Sequence, residues 1–387
     1  MRILLLHSSS DNYGASKIFL QTVLVLQNNG HYPVVVLSNT GSLSMDLEKI
    51  GVKVHIVNLA ILRRKYFNPA GIINRFKKWK QAIPALNHII ATHQIDTIYS
   101  NTAAVLIGGY VAKKKGLKHI WHLHEIIEKP FFMHQFFAWC IRKWSDKIIV
   151  VSKAVEQCWK TKAIENRIVQ IYNGILPVPK CDAIANTQFN NYKQSLSIPD
   201  NALVIGMAAR IHFWKGQSYF VNIARALLQL EQSQPLYFLI AGDPFPGYEY
   251  LLDELEQSLK EHSLTNRVYY IGLVKEMDLF YKSIDLLILP SQQPDPLPTV
   301  VLEAMQYGLP IVATAQGGAL EMIVENETGI FIPLNNVTEA VNKIDALLNS
   351  AKWSELGAAG KKRAATHFSA ANFEKNILSV FEIPLSN

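Results

Sequence analysis

Residues 291–330 read SQQPDPLPTVVLEAMQYGLPIVATAQGGALEMIVENETGI and hold the most informative pattern in the chain. Two acids, Asp295 and Glu303, stand on either side of Pro298, which fits the first position of a helix because the missing N–H of proline is not needed there. The run Thr299–Tyr307 that follows is predicted to be a short helix. A Gly-Leu-Pro turn, an apolar strand and a Gly-Gly loop complete the segment.

This predicted helix separates its acid from its apolar side chains. Its apolar face consists of Val300, Val301, Ala304 and Met305. Glu303 points away from that face on a helical wheel. Asp295 lies in the loop before the helix, where free backbone N–H groups and the positive end of the helix dipole attract anions. The segment therefore presents two acids with hydrogen-bond donors between them, which suits a phosphorylated ligand.

The ordered string resembles the signature of the retaining glycosyltransferases of family 4, in which two acids at this spacing precede an Ala-Met pair and a Gly-x-Pro turn. The resemblance implies that Glu303 accepts hydrogen bonds from ribose hydroxyls and that Asp295 binds hydroxyls of a donor sugar. Leu297 and Thr299 belong to the same implied donor-binding set. The family usually has Glu in place of Asp295 and Phe-Gly in place of Leu297 and Pro298, and these departures bear on which sugar is bound.

Apolar strands alternate with amphipathic helices along the chain, the pattern of parallel sheets covered by helices on both faces. The strands predicted in the first half are Ile3–Leu6, Val34–Leu37, Val54–Val57, Thr97–Tyr99, His119–His122 and Lys147–Val151. Those in the second half are Leu203–Met207, Leu236–Ala241, Val268–Ile271, Leu286–Leu289 and Pro310–Ala313. Predicted helices include Phe19–Asn28, Gln217–Leu230 and Leu251–His262. The fold class is α/β, and the resemblance implies the GT-B fold, two Rossmann-like doubly wound domains facing across a cleft.

Length predicts two domains, because 387 residues exceed what one hydrophobic core usually organises. The expected acceptor-binding domain covers residues 1–180, the nucleotide-sugar donor domain covers 195–365, and residues 366–387 form a helix that crosses back to the first domain. The linker is placed at Pro177–Ser197. Three cysteines without C-x-x-C spacing and the lack of a signal peptide or a long apolar run predict a cytoplasmic protein.

Two cations follow the first strand of the second half. In open α/β sheets ligands bind beyond the carboxyl ends of the strands. The loops at those ends are 8–17, 122–128, 208–216 and 290–299. Arg210 and Lys215 stand five residues apart in one of them, and such a pair can clamp a diphosphate. Ala209 to Gly216 is similar to the family motif Gly-Arg-x-x-x-x-Lys-Gly, whose cations stabilise the charge on the leaving nucleoside diphosphate.

Three further site residues are implied by the resemblance. His124 precedes Glu125 after a predicted strand, an order that the family also shows, and it is expected to touch and orient the donor sugar. Gly14, in the first strand-to-helix loop, is similar to the family's glycine loop near the donor phosphates, and no G-x-G-x-x-G dehydrogenase fingerprint surrounds it. Val274 follows Gly272 where the family's backbone contacts the nucleobase.

Positive charge is concentrated in the first half of the chain. Residues 1–190 hold 24 Lys plus Arg against 10 Asp plus Glu, whereas residues 191–387 hold 14 against 21. Basic clusters lie at 63–65, 75–80 and 113–115. The aromatic, cation-flanked segment 129–144 suits a helix at a bilayer interface or, alternatively, an ordinary core helix. These features predict contact with an anionic membrane surface, whereas nucleic acid is not expected because its usual motifs are missing.

The resemblance implies transfer of a sugar from a nucleotide-sugar, expected to be UDP-linked, to a lipid-linked glycan acceptor in bacterial surface polysaccharide synthesis, at the cytoplasmic membrane face. Retention at the anomeric carbon is implied. No cofactor or metal is expected, since two cations serve the leaving group and the chain has no Asp-x-Asp sequence. The implied catalytic residues are His124, Arg210, Lys215 and Asp295. Two alternatives stay open: an epimerase or phosphorylase of the same fold, and a non-catalytic member that binds a nucleotide-sugar only.

Overall fold

The structure is a computed structural model that describes residues 1–11, 13–63, 66–175, 193, 196–350 and 352–382. Most of the predicted linker Pro177–Ser197 lies outside the described residues, as do residues 64–65 of the first basic cluster. Contacts between Cα atoms divide the chain into two compact units. The first comprises Met1–Gly174 with Ala370–Asn387, and the second comprises Ile175–Ser369.

The first unit is built on a parallel sheet. Its described strands are β1 (Arg2–His7), β2 (Tyr32–Leu37), β3 (Lys53–Ile56), β4 (Thr97–Asn101), β5 (Lys118–Leu123), β6 (Lys147–Val150) and β7 (Ile168–Gln170). Its helices before residue 175 are α1 (Gly14–Asn28), α2 (Ser42–Lys49), α3 (Pro69–His93), α4 (Leu106–Lys115), α5 (Phe131–Trp144) and α6 (Lys153–Trp159). The strand order β3-β2-β1-β4-β5-β6-β7 reverses direction at β1, as in a doubly wound sheet.

The second unit repeats this plan. Its described strands are β8 (Leu203–Ala208), β9 (Leu236–Ala241), β10 (Val268–Tyr270), β11 (Leu286–Leu289), β12 (Ile311–Thr314) and β13 (Gly329–Ile332). Its helices are α7 (Gln217–Leu227), α8 (Tyr250–Glu261), α9 (Met277–Ser283), α10 (Thr299–Gln306), α11 (Ala319–Met322), α12 (Val337–Leu348) and α13 (Trp353–His367). The strands run parallel in the order β10-β9-β8-β11-β12-β13. The α/β fold class with two doubly wound parallel sheets is therefore confirmed.

The burial of the central strands on both faces explains why apolar runs in the sequence predicted them. Ile3, Leu4, Leu5 and Leu6 of β1 have no exposed surface, because helices cover both faces of a parallel sheet and every side chain of a central strand is buried. All eleven predicted strands are present, with ends that differ by at most two residues. The sequence did not predict β7 and β13, which are short strands at the edges of the two sheets.

The final described helix, α14 (Ala370–Glu382), belongs to the first unit. It follows a break after α13, which ends at His367. The side chains that α14 buries against α1 and the first sheet are Phe373, Ile377, Val380 and Phe381. Gly174 lies so close to this helix that a Cβ atom there would be 2.4 Å from the Cβ atom of Phe373, so glycine is required at this turn.

We expect Phe373→Ala to lower the free energy of unfolding by about 3–5 kcal/mol, because it removes a fully buried aromatic side chain and leaves a cavity. Urea unfolding of the full chain, followed by circular dichroism, measures the change. The control is Asn376→Ala on the exposed face of the same helix, which should change stability by less than about 0.5 kcal/mol. Equal effects of the two substitutions would show that α14 contributes little to the first core.

Candidate functional site

Four charged residues predicted for ligand binding lie on loops or helices that follow the carboxyl ends of β8 and β11. Strand β11 pairs with both β8 and β12, so the loops after these three strands share one edge of the sheet. Arg210 and Lys215 belong to the loop after β8, Asp295 to the loop after β11, and Glu303 to α10. Parallel pairing therefore gathers residues that are up to 93 positions apart in the sequence.

Lys215 and Asp295 form an ion pair at this edge. The Lys215 ammonium donates to Asp295 Oδ1, and the two side chains are only 23% and 14% exposed. The second oxygen, Oδ2, accepts a 2.5 Å hydrogen bond from Ser291 Oγ. The carboxylate is thus held on both oxygens, and a cation and an anion are presented side by side.

The loop that carries Asp295 is fixed through its backbone as well. Gly318 N donates to the Asp295 carbonyl at 2.7 Å. Gly317 has φ +57°, and a Cβ atom there would be 2.3 Å from the same carbonyl oxygen, so only glycine fits. The Gly-Gly loop noted in the sequence therefore braces the acid loop from the neighbouring strand.

Glu303 is held by a buried tyrosine. Tyr281 on α9 donates from its hydroxyl to Glu303 Oε2 at 2.8 Å. Burial, together with the Glu303 charge, raises the pKa of Tyr281 well above its usual range, so the phenol remains a donor. The helix is as predicted, except that Leu302 is buried and Val300 only half-buried, because the core side of α10 is rotated toward Leu302.

Arg210 lies beside an aromatic cluster. Its guanidinium carbon is 5.1 Å from the centroid of the Phe245 ring, and its carbonyl accepts from Gln217 Nε2 at 2.9 Å. Next to it, His212 stacks on Trp214 with ring centroids 4.2 Å apart. Burial, with a smaller contribution from the Lys215 charge, lowers the pKa of His212 to about 4. This histidine is therefore neutral at pH 7 and adds no charge next to the two cations.

The remaining donor-binding predictions fall at the same edge but differ in exposure. Leu297 is buried, whereas Thr299, the first residue of α10, is half-buried. Val274 is half-buried and follows β10, where Gly242 N donates to the Gly272 carbonyl at 2.8 Å and ties the loops after β9 and β10 together. This backbone hydrogen bond holds the two loops next to each other at the carboxyl ends of β9 and β10.

A pocket of about 260 Å³ adjoins the loop after β8. It is lined by His212, Gly216, Gln217, Leu251, Glu254 and Gln292, among others. Arg210, Lys215, Asp295 and Glu303, all within the described part of the chain, do not line it. The pocket therefore lies beside the charged edge, next to Lys215 and Ser291 in the sequence, and not between the four charged side chains.

In the first unit, His124 follows the carboxyl end of β5. Its Nε2 is 2.9 Å from Asn101 Oδ1, and its ring centroid is 4.2 Å from that of His122. Glu125 does not reach outward, because its Oε2 accepts from the backbone N–H groups of Ala103 and His124 at 3.0 and 3.1 Å. Burial raises the pKa of Glu125 against these hydrogen bonds.

The position of Gly14 differs from the predicted one. It is the first residue of α1 rather than a residue of the preceding loop, which ends at Tyr13. Helix α1 starts five residues before the predicted Phe19, because the small and polar residues of its first turn carry no apolar pattern, although Ser16 among them is buried at 2% exposure. Gly14 therefore presents a helix N-terminus at the carboxyl end of β1.

Sequence reasoning missed several residues of these edges. Ser291 lies two residues after Leu289, the end of β11, and Asn101 ends β4, so the rule that ligands lie beyond strand ends could have found both. His212 lies in loop 208–216, which the same rule marks, but a histidine beside Phe213 and Trp214 has the composition of a core residue. Tyr281 gave no such signal, because a buried tyrosine in an amphipathic helix is an ordinary core residue.

Buried neutral histidines predict acid sensitivity. Burial lowers the pKa of His7 to about 4 and those of His119 and His122 to about 3, and it holds the pKa of His124 well below its usual range. The unfolded chain binds these protons below pH about 6.5, whereas the folded chain does not until about pH 4. Stability is therefore complete above about pH 6.5 and falls between about pH 6.5 and 4, by about 1.4 kcal/mol per pH unit for each histidine.

Urea unfolding across this pH range tests the expectation. The variant His119→Asn should show a slope shallower by about 1.4 kcal/mol per pH unit, whatever its stability at pH 7. A slope equal to that of the unsubstituted chain would contradict the assignment of His119 as a buried neutral base.

Comparison with known proteins gives two family matches. Residues 188–364 match the model described as glycosyl transferases group 1, and residues 13–177 match glycosyltransferase family 4. An uncharacterized glycosyltransferase of Methanocaldococcus jannaschii is 26% identical over 62% of this chain and 61% of its own length. The O-antigen biosynthesis glycosyltransferase WclY of Escherichia coli is 27% identical over 46% of this chain and 45% of its own length. The chain thus spans about half of the length of the curated relatives that it matches.

Solved structures agree on the fold. The structure of HepE from Anabaena, in complex with UDP and glucose, has a TM-score of 0.82, with 22% identity over 99% of this chain and 100% of that one. The two doubly wound sheets are thus those of the GT-B fold. With both family models matching in chain order, the protein belongs to the group 1 glycosyltransferases of family 4.

Proposed function

We propose that the protein is a retaining glycosyltransferase that moves a sugar from a UDP-linked donor to a hydroxyl of a lipid-linked glycan acceptor in bacterial surface polysaccharide synthesis. The observation that carries the proposal is the gathering of Arg210, Lys215, Asp295 and Glu303 at one edge of the second sheet. Family membership supports sugar transfer, the UDP complex of HepE supports the donor, and the O-antigen role of WclY supports the pathway.

The cations are proposed to serve the leaving group. A diphosphate needs charge-assisted donors, and the half-buried Arg210 and Lys215 supply a planar fork and a point charge in one loop. As the bond to the sugar breaks, negative charge grows on the diphosphate, and fixed cations stabilise it more than they stabilise the bound donor. The reaction is proposed to need no metal ion, because these side chains carry out the charge stabilisation that a metal would supply.

The acids are proposed to orient the donor. Glu303, with one oxygen held by Tyr281, offers acceptor sites for the two ribose hydroxyls. Asp295, bound by Ser291 and Lys215, offers acceptor sites for hydroxyls of the sugar. Leu297, Thr299 and Val274 are proposed to complete the donor set. In the first unit, the resemblance assigns the sugar to His124 and the phosphates to Gly14.

Binding and turnover separate this proposal from the alternatives. Thermal-shift assays with EDTA present throughout test UDP, UDP-glucose, UDP-galactose and UDP-N-acetylglucosamine. A ligand that binds only the folded state raises the melting temperature, and a tighter ligand raises it more. We expect one or more to stabilise the protein. Arg210→Ala and Glu303→Ala should each weaken UDP binding about tenfold to a hundredfold, because each removes hydrogen bonds that involve a charged group.

The matched controls are Arg225→Ala on α7 and Glu256→Ala on α8, exposed residues of the same types in the same unit. Stabilisation that requires added Mg²⁺ would refute the metal-free reaction. Binding without transfer to any acceptor would favour the non-catalytic alternative, and a changed donor sugar without an acceptor would favour the epimerase.

We further propose that the first unit binds the cytoplasmic face of an anionic membrane. Among the described residues, no helix is long and apolar enough to cross a bilayer. Helix α5 combines a core face with an exposed aromatic face, since Phe137 and Ile141 are buried while Phe131 and Trp139 are 67% and 42% exposed. The first turns of α3 expose further apolar side chains. These are Ile72, Ile73 and Phe76.

The two helices form a continuous surface with cations around it. Phe67, just before α3, contacts Phe132 of α5 with ring centroids 5.9 Å apart. Lys80 lies 4.8 Å from the ring of Phe76, and Lys143 lies 4.7 Å from the ring of Trp139. Aromatic side chains ringed by Lys fit the boundary between acyl chains and anionic headgroups, and each cation contributes about 1 kcal/mol there.

We expect the full chain to bind vesicles of phosphatidylethanolamine with phosphatidylglycerol more tightly than vesicles of phosphatidylcholine, and to release at high salt. The double variant Phe131→Ser/Trp139→Ser should weaken this binding about tenfold or more, because it removes exposed aromatic area from the surface. Leu230→Ser, at an equally exposed apolar position of the second unit, is the control. Equal binding of both variants in a sedimentation assay would contradict the proposed surface.

A further inference from the structure

A continuous chain of hydrogen bonds joins Asp11 to His124 in the first unit. Ser16 Oγ donates to Asp11 Oδ1 at 3.0 Å, and His7 Nε2 lies 3.0 Å from Ser16 Oγ. On its other side, His7 Nδ1 lies 2.9 Å from Asn101 Nδ2. Asn101 Oδ1 then lies 2.9 Å from His124 Nε2. His7, Ser16 and Asn101 are at most 2% exposed, so water does not compete for these bonds.

The negative charge of Asp11 sets which group donates and which accepts in every bond of this hydrogen-bond series. A carboxylate only accepts, and the single hydroxyl proton of Ser16 is used toward it. His7 Nε2 must then donate to Ser16 Oγ. Because burial lowers the pKa of His7 to about 4, the ring is neutral and its Nδ1 accepts from Asn101 Nδ2. The amide oxygen of Asn101 is left to accept from His124 Nε2–H.

One contact outside this series of hydrogen bonds gives the same orientation of the Asn101 amide. Asn101 Nδ2 lies 3.5 Å from the carbonyl oxygen of Ala15, which only accepts. This contact is longer than the bonds of the series, so it agrees with the direction that Asp11 sets but holds the amide less strongly. The Tyr99 hydroxyl lies 3.4 Å from Asn101 Oδ1 and only 2.5 Å from His122 Nδ1, and because a hydroxyl both donates and accepts it does not fix the amide.

His124 therefore carries its proton on Nε2. Burial holds its pKa well below the usual range, so the ring is neutral and Nδ1 is a hydrogen-bond acceptor. We propose that Asp11 is a positioning residue that acts through Ser16, His7 and Asn101 to keep Nδ1 of His124 an acceptor for a hydroxyl group of the sugar substrate. The contact with a sugar rests on the proposed function, whereas the proton position rests on the first unit alone.

A His124 ring with an acceptor Nδ1 is selective for ligand groups that donate a hydrogen bond. An acceptor nitrogen binds a sugar hydroxyl or an amide N–H, but a carbonyl or carboxylate oxygen in the same place would face its lone pair without a proton between them. Replacing Asp11 by Asn removes the fixed charge, so the Ser16 hydroxyl can donate to His7 instead. The donor and acceptor roles in the whole hydrogen-bond series can then reverse. His124 would then spend part of its time with the proton on Nδ1.

The proton position is measured by long-range ¹H–¹⁵N correlation on the full chain with ¹⁵N-histidine at neutral pH, where the two tautomers give different patterns. The signal of His124 is assigned by its loss in His124→Gln. We expect the Nε2–H pattern in the unsubstituted chain and a mixture of tautomers in Asp11→Asn and in Ser16→Ala. The double variant should add nothing to either single one, because both break the same path.

Ser9→Ala is the matched control, because Ser9 Oγ donates at 2.8 Å to Oδ2, the other oxygen of the same carboxylate, and lies outside the path. It should keep the Nε2–H pattern. A proton on Nδ1 in the unsubstituted chain, or an unchanged Nε2–H pattern in both Asp11→Asn and Ser16→Ala, would overturn the proposal.

Binding then tests the sugar contact. Dissociation constants are measured for UDP and for UDP-glucose, UDP-galactose and UDP-N-acetylglucosamine. Asp11→Asn should raise the dissociation constant of the bound nucleotide-sugar about threefold to tenfold, the contribution of one hydrogen bond. It should leave the dissociation constant of UDP unchanged. Equal weakening of UDP would overturn the positioning role. If the unsubstituted chain binds none of these ligands, the proposed function fails, and the tautomer measurement still decides whether Asp11 sets the proton position.

Discussion

Parallel pairing of the strands is the constraint on which both candidate sites depend. It places the carboxyl ends of neighbouring strands side by side, so residues that end different strands become neighbours. In the first unit, the register sets His7 of β1 opposite Asn101 of β4, and Asn101 opposite His122 of β5. In the second unit, β11 lies between β8 and β12, which brings Lys215 to Asp295. The polar side chains occupy positions that the sheets had already fixed.

The two edges use polarity in different ways because their burial differs. His7 and Asn101 are buried and His124 is half-buried, and removal from water penalises the charged form of an imidazole, so the imidazoles of this network are neutral and its charge lies at Asp11. Lys215 and Asp295 keep part of their surface exposed and remain an ion pair. Directed hydrogen bonds between neutral groups suit the recognition of hydroxyls, whereas cations held at a partly open edge suit phosphates.

The sequence predicted the parts of the structure that depend on local pattern. Apolar runs predicted the central strands, because burial on both faces leaves no polar position in them. It did not predict β7 and β13, since three or four residues at a sheet edge carry too little pattern. The order of motifs along the chain indicated Arg210 and Lys215 as a pair of cations for a diphosphate. No pattern in the chain could pair Lys215 with Asp295, 80 residues away, or Asn101 with His7, 94 residues away, because those contacts follow from strand order.

The departure from the family pattern at Asp295 is best understood as a change of reach on a fixed backbone. The carbonyl of Asp295 accepts from Gly318, and Gly317 leaves no room for the loop to approach further, so the position of its Cα atom does not depend on the side chain. A glutamate there would extend about one C–C bond beyond the aspartate. Ser291 and Lys215 both bind the shorter carboxylate, which keeps it close to the loop. The shorter side chain therefore leaves the space of about one methylene group at this edge of the sheet, without a change in the backbone that carries it.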